Sequence, residues 1–162
     1  MITCALAAAS QLPPLLHWQI FTGPHMPDEQ FAQLREQAAG LSNVTLQRHT
    51  TEFPAWLQRA DLSISMAGYN TCMDLVTAQV RALVYPFNEH DNHEQTLRAR
   101  KLAALGYVSA LEPAQLTPAY LATEITRSLA ALPPAPSVPL DLQGAPTTAA
   151  LLAALLAEPA AT

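Results

Sequence analysis

At 162 residues the chain has the length of one domain, and half of its residues are apolar, enough for a full core. A net charge of −5 excludes a nucleic-acid surface, because there is no basic stripe to neutralise phosphates. The two cysteines, Cys4 and Cys72, stand far apart, which excludes a disulfide framework and a paired-cysteine metal site.

Residues 1–12 are rich in alanine and leucine and predict a helix, ended by Pro13 and Pro14. This stretch lacks a basic start and is too short to span a bilayer, so it reads as neither signal peptide nor anchor. Residues 15–22 predict a strand, turned by Gly23 and Pro24. Residues 28–39 predict a helix closed by Gly40. A short strand follows at 44–48, then a turn at 50–53 and a short helix at 54–59.

The apolar run 62–66 predicts a buried strand. Ala67 and Gly68 end it, and Asn70 and Thr71 start a helix that runs to Gln79. A second apolar run, 82–85, is stopped by Pro86. The polar loop 88–92 leads into a helix at 93–105, closed by Gly106. Next come a short strand at 107–111 and a helix at 117–132. Thr117 is that helix's N-cap and Pro118 its first residue. Residues 133–139 form a proline-rich extended linker. Residues 140–144 then lead to a last helix at 145–158. Leu151, Leu152, Leu155 and Leu156 give that helix an apolar face for packing on its own domain or for self-association.

Alternating strands and helices imply an α/β chain, a three-layer α/β/α parallel sheet over residues 1–132. The linker and the C-terminal helix, 140–162, follow it. Ligands of such sheets sit at the carboxyl ends of strands, where loops 67–71 and 88–95 both fall.

Three groups in these loops suggest chemistry. A helix amino terminus at Gly68, Tyr69, Asn70 and Thr71 offers unpaired amides and a positive dipole end, suited to a diphosphate. The bland alternative is an ordinary turn capped by Asn70 or Thr71. Asp74 is either a ligand to hydroxyls or a dipole-favoured first-turn acid. Glu94 and Gln95 pair a carboxylate that only accepts with an amide that donates and accepts. The run His90, Asp91, Asn92, His93, Glu94 invites a metal reading, but its spacing is not that of a helical zinc pair. We therefore expect a polar pocket rim, with no metal and no cofactor. No nucleophile constellation stands out: Ser63 and Ser65 lie within a strand, and Cys72 has no paired histidine.

The ordered pattern of Ala67, Gly68, Thr71, Asp74, Pro86, Glu94, Gln95, Arg98 and Ala99 resembles the C-terminal, donor-binding domain of GT-B glycosyltransferases, and family 28 in particular. The resemblance covers roughly residues 18–129. It implies a Rossmann-like sheet, the C-terminal half of a GT-B fold, that binds a UDP-sugar. Main-chain amides at residues 67–71 would take the diphosphate. Asp74 stands where the family has a glutamate on the ribose. His49 and Thr50 would meet the base, through the main chain. Asn88, His93, Glu94 and Gln95 would face the donor sugar. The implied reaction is an inverting transfer of a hexosyl or N-acetylhexosaminyl group to a hydroxyl. Its general base comes from an acceptor-binding domain, in cis or in trans, so no catalytic residue is assigned here.

The resemblance also implies a first strand and a Gly-rich loop before Met1, so that the chain is a fragment or has a misplaced start. Two alternatives stay open: a UDP-sugar epimerase of related fold, and the catalytic subunit of a two-chain glycosyltransferase. The expected location is cytoplasmic, with peripheral contact at the inner face of the membrane.

Overall fold

The computed structural model describes residues 1–87, 93–132 and 135–157. Elements alternate from the start: α1 (Ile2–Ala9), β1 (Trp18–Phe21), α2 (Asp28–Ala38), β2 (Val44–Gln47), α3 (Phe53–Arg59) and β3 (Ser63–Met66). Then come α4 (Tyr69–Ala78), β4 (Ala82–Tyr85), α5 (Glu94–Ala104), β5 (Ser109–Ala110), α6 (Pro118–Ala130) and α7 (Gly144–Ala157). A 3₁₀ turn at Pro113–Gln115, which the sequence reading left out, follows β5.

Strand β4 shows why the chain layers. Ala82 and Val84 point to one face and join Leu57, Cys72, Leu75, Val76, Ala99 and Leu102 from α3, α4 and α5. Leu83 points to the other and joins Ala5, Ala8, Leu121 and Ile125 from α1 and α6. Period-two side chains with both faces apolar demand helices above and below. The helices supply them: α3, α4 and α5 on one side, α1, α2 and α6 on the other.

All strand pairs are parallel, but the hydrogen bonding is interrupted. β1 pairs with β2, in register Trp18 to Val44. Separately, β3 pairs with β4 and β4 with β5. Helix α1 bridges the break on one face: Leu6 packs with Ile20 and Leu46, while Ala5 and Ala8 pack with Leu83 and Ile64. On the other face Phe21 meets the rings of Phe53 and Trp56 in α3, at centroid distances of 6.3 and 5.7 Å.

The amides of Trp18 and Thr22 donate toward β2, at 2.8 and 3.0 Å, and those of Ser63 and Ala67 toward β4, at 2.8 and 3.0 Å. Alternation along a strand therefore turns the amides of Gln19, Phe21, Ile64 and Met66 into the break. Burial agrees. Ala82, Leu83 and Val84 in the doubly flanked strand are buried, whereas all four residues of β1 are only half-buried.

Several boundaries moved, each for a local reason. Helix α4 begins at Tyr69, not Thr71, because Gly68 is its N-cap through the main chain, its carbonyl accepting from Cys72 N at 3.0 Å. Neither Asn70 nor Thr71 caps it. Strand β1 starts at Trp18, because the two prolines hold Leu16 in a turn, its amide donating to Pro13 O at 3.1 Å. Tyr107 belongs to the closure of α5 rather than to β5: its amide donates to Leu102 O at 3.0 Å. Gly106 makes that closure with φ +82°, and a Cβ there would lie 3.3 Å from Ala135 O.

Thr117 caps α6, its hydroxyl accepting from Tyr120 N at 3.2 Å. The Tyr107 hydroxyl donates to Val138 O and accepts from Leu140 N, both at 2.9 Å, which pins the proline-rich segment to the sheet domain. Leu151, Leu152, Leu155 and Leu156 on α7 are all exposed.

Hydrogen exchange tests the break. The amides of Gln19, Phe21, Ile64 and Met66 should exchange much faster than those of Leu83 and Val84; equal protection would mean that a strand already pairs there.

Candidate functional site

Two turns leave the carboxyl ends of adjacent parallel strands. After β3, Ala67 is fully buried and its amide donates to Tyr85 O at 3.0 Å. The chain then emerges: Gly68 is half-buried, Tyr69 is 63 % exposed, Asn70 is exposed and Thr71 half-buried. Among the described residues no acceptor meets the amides at 68–71, and no side chain caps α4. A helix start without caps presents its first N–H groups, and the positive end of its dipole, to whatever lies outside.

Gly68 has φ −63° and ψ 153°, open to any residue, and a Cβ there would meet only Thr71 Oγ1, at 4.0 Å. Neither backbone strain nor packing asks for glycine at this position.

After β4, Pro86 is buried and Phe87 exposed. Helix α5 starts at Glu94, with His93 as its N-cap and exposed. Gln95 is half-buried, and its Oε1 accepts from Phe87 N at 3.1 Å. That bond fastens the first turn of α5 to the end of β4 and uses one lone pair of the carbonyl oxygen, leaving the second lone pair and the amide N–H₂ for other partners. Glu94 is a first-turn acid paired with Arg98 one turn on. Asn88, His90, Asp91 and Asn92 lie outside the described residues.

Arg98 joins the two turns. Its Nη1 donates to Ala67 O at 2.8 Å, its Nη2 pairs with Glu94, and its guanidinium lies over the Tyr69 ring, 5.6 Å from the centroid. The side chain is only 14 % exposed. The charge is felt below as well. Burial pushes the Cys72 thiol up, and Arg98 pulls it partly back.

The sequence pattern includes Arg98, but nothing in it singles out this tie. The one hint was its place four residues after a first-turn acid.

The structure thus brings Ala67, Gly68, Tyr69, Glu94, Gln95 and Arg98 together by direct contact or adjacency. Asp74 lies in the second turn of α4, half-buried, and its carboxylate has no bond among the described residues. Because α4 begins at Tyr69, Asp74 is not a first-turn acid, and the dipole does not explain it. His49 is exposed. The Thr50 hydroxyl accepts from Glu52 N at 3.0 Å, a local turn into α3. No bond among the described residues ties His49 or Thr50 to the group around Arg98.

Two concavities elsewhere are unrelated to these turns. One, of about 180 Å³, lies among Leu57, Asp61, Gln79 and Arg81 at the opposite strand ends. The other, a groove of about 570 Å³, runs between Leu12 and the α6 residues Ala119, Ala122 and Thr126.

Residues 3–134 match the glycosyltransferase family 28 C-terminal domain. The chain belongs to this family. A search of curated proteins finds no match. Among solved structures, the family 28 domain is similar to MurG of Acinetobacter baumannii, with a TM-score of 0.64 and 24% identity over 79% of this chain and 36% of that one. It is also similar to the glycotransferase of kitacinnamycin, with a TM-score of 0.63 and 19% identity over 80% of this chain and 30% of that one. At these identities the likeness shows the fold, and the chain spans about a third of the length of each neighbour. No described helix of the family 28 domain is long and apolar enough to cross a membrane.

Cys72 gives a prediction with a definite sign. Its folded pKa is raised, so its contribution to stability is complete below the usual thiol value of 9.0 and is lost as pH rises through the folded value. Thermal melts should fall on the alkaline side of pH 9, and less steeply in Cys72→Val. A thiol reagent should reach Cys72, which is fully buried, only on unfolding.

Proposed function

We propose that this domain binds the nucleotide-sugar donor, a UDP-sugar, of an inverting glycosyltransferase that transfers a hexosyl or N-acetylhexosaminyl group to a hydroxyl. Membership of family 28 supports this reading. The observation that carries it is Gly68: a glycine that neither conformation nor packing requires, at the mouth of an uncapped helix with open amides. Close approach of a ligand to the main chain accounts for it.

In this reading the amides at 68–71 receive the diphosphate and the Thr71 hydroxyl adds a donor. Asp74 accepts from the ribose hydroxyls; its carboxylate, without a bond among the described residues, suits that role, with shorter reach than a glutamate. The Gln95 N–H₂ donates to a sugar hydroxyl, Glu94 and His93 stand beside it at the start of α5, and Asn88 keeps the sugar-facing role that the family pattern implies. The main chain at His49 and Thr50 meets the base.

The chemistry follows from charge. As the acceptor hydroxyl attacks the anomeric carbon, negative charge grows on the departing diphosphate. Fixed amides and a helix start stabilise it without having to reorganise. The hydroxyl's proton goes to a base on an acceptor-binding half, in cis or in trans. The interrupted sheet supports a further proposal: an additional parallel strand fits between β1 and β3, where both edges are unpaired among the described residues.

Calorimetric titration with UDP tests the reading. Binding should saturate in the millimolar range or below. Asp74→Ala should weaken UDP about tenfold or more, the worth of a hydrogen bond to a charged group, and leave inorganic pyrophosphate unaffected. Gln95→Ala should weaken a UDP-sugar and leave UDP unaffected. No response at millimolar UDP, with the fold intact, contradicts the proposal.

A further inference from the structure

Arg98 occupies a place that the stability of the fold does not explain. It is the fifth residue of α5 and reaches across to the start of α4, so a guanidinium sits at the positive ends of two helices. Both dipoles oppose a cation there. The side chain is largely buried, and its carboxylate partner among the described residues, Glu94, is 66% exposed. On the same helix Ala99 and Leu102 meet the core with apolar side chains. An apolar residue at 98 would bury as well without the electrostatic conflict.

What the arginine does instead is hold one peptide plane. Its Nη1 takes the Ala67 carbonyl at 2.8 Å. In a trans peptide the N–H points opposite to the C=O. With Ala67 O drawn toward α5, the Gly68 N–H is turned the other way, away from α5. The same guanidinium lies on the Tyr69 ring and so restrains the next residue. Its Nη2 holds Glu94, the first residue of α5, so a single planar group sets the two turns against each other.

We propose that Arg98 is a positioning residue that aims the Gly68 amide and holds the mouth of α4 in a state ready for an anion. Its value for the donor diphosphate rests on the function proposed above; the positioning itself does not. Placing a cation where two helix dipoles already converge strengthens the local positive potential at the cost of fold stability, a trade expected at binding sites.

The test uses the full chain as wild type, Arg98→Leu and Arg98→Lys. Backbone ¹⁵N order parameters are measured, and each protein is titrated with inorganic pyrophosphate. In Arg98→Leu the order parameters of Gly68 and Tyr69 should fall from the rigid value of about 0.85 toward about 0.6, while Leu83 and Val84 in β4 stay rigid. The pyrophosphate dissociation constant should rise about tenfold or more.

Arg98→Lys keeps the charge but not the planar fork. It should hold the Cys72 thiol near its wild-type titration and recover only part of the order and affinity. Unchanged order at Gly68 and Tyr69 in Arg98→Leu would overturn the proposal. So would loosening of β4 to the same degree, which would make Arg98 a core strut. If Arg98→Leu does not fold, the lysine variant decides: full wild-type order at Gly68 overturns the proposal and partial order supports it. A wild type that ignores pyrophosphate overturns the anion role alone, and the order parameters still decide the positioning.

Discussion

The hydrogen bond from Arg98 to the Ala67 carbonyl is the contact on which the rest of the site depends. Parallel strands end side by side, but the turns that leave them have no reason of their own to stay in register. Here β3 and β4 are tied first by Ala67 N to Tyr85 O and then, one layer out, by Arg98. Gln95 adds a third tie by accepting from Phe87 N. Each bond uses a main-chain group that would otherwise be left over at a strand end. Together they convert two loops into one shelf, with open amides on one side of it and the first turn of α5 on the other.

Below the shelf the layers are held by ordinary packing. Strand β4 is buried on both faces because helices cover it twice, and Leu75, Leu83 and Leu121 are among the largest fully buried side chains. The molecule is less uniform toward β1. There the ladder stops, apolar residues stay half-buried, and α1 and α3 carry contacts across the break. The buried side-chain nitrogens of Trp18 and Gln19, on the strand beside that break, have no partner among the described residues. The better-buried half of the domain is therefore the half that bears the two turns.

Much of this was legible in the sequence. Strand β4 was placed residue for residue, because a short apolar run ended by proline leaves little choice. The cap of α6 was equally plain, since Thr117 and Pro118 each carry a local mechanism. The start of α4 was not legible. Asn70 and Thr71 have the chemistry of caps, yet Gly68 occupies the N-cap position and no side chain caps the helix. Tyr107 looked like a strand residue because its ring is apolar, but its amide closes α5 and its hydroxyl holds the C-terminal segment. Gln95 was read as able to donate and to accept, and its oxygen accepts here from the Phe87 amide. The role of Arg98 depends on two elements meeting in space, so no local pattern announces it. Family 28 membership was carried by the order of small, acidic and amide residues across several elements rather than by any one of them.

The central claim is that the main chain at 68–71 is built to meet a diphosphate. A crystal structure of the chain with bound UDP tests it most directly. The account predicts diphosphate oxygens about 2.7–3.2 Å from amides at 68–71, with Asp74 on the ribose side. A nucleotide seated elsewhere, for example in the groove between α1 and α6, with those amides facing only water, would contradict it.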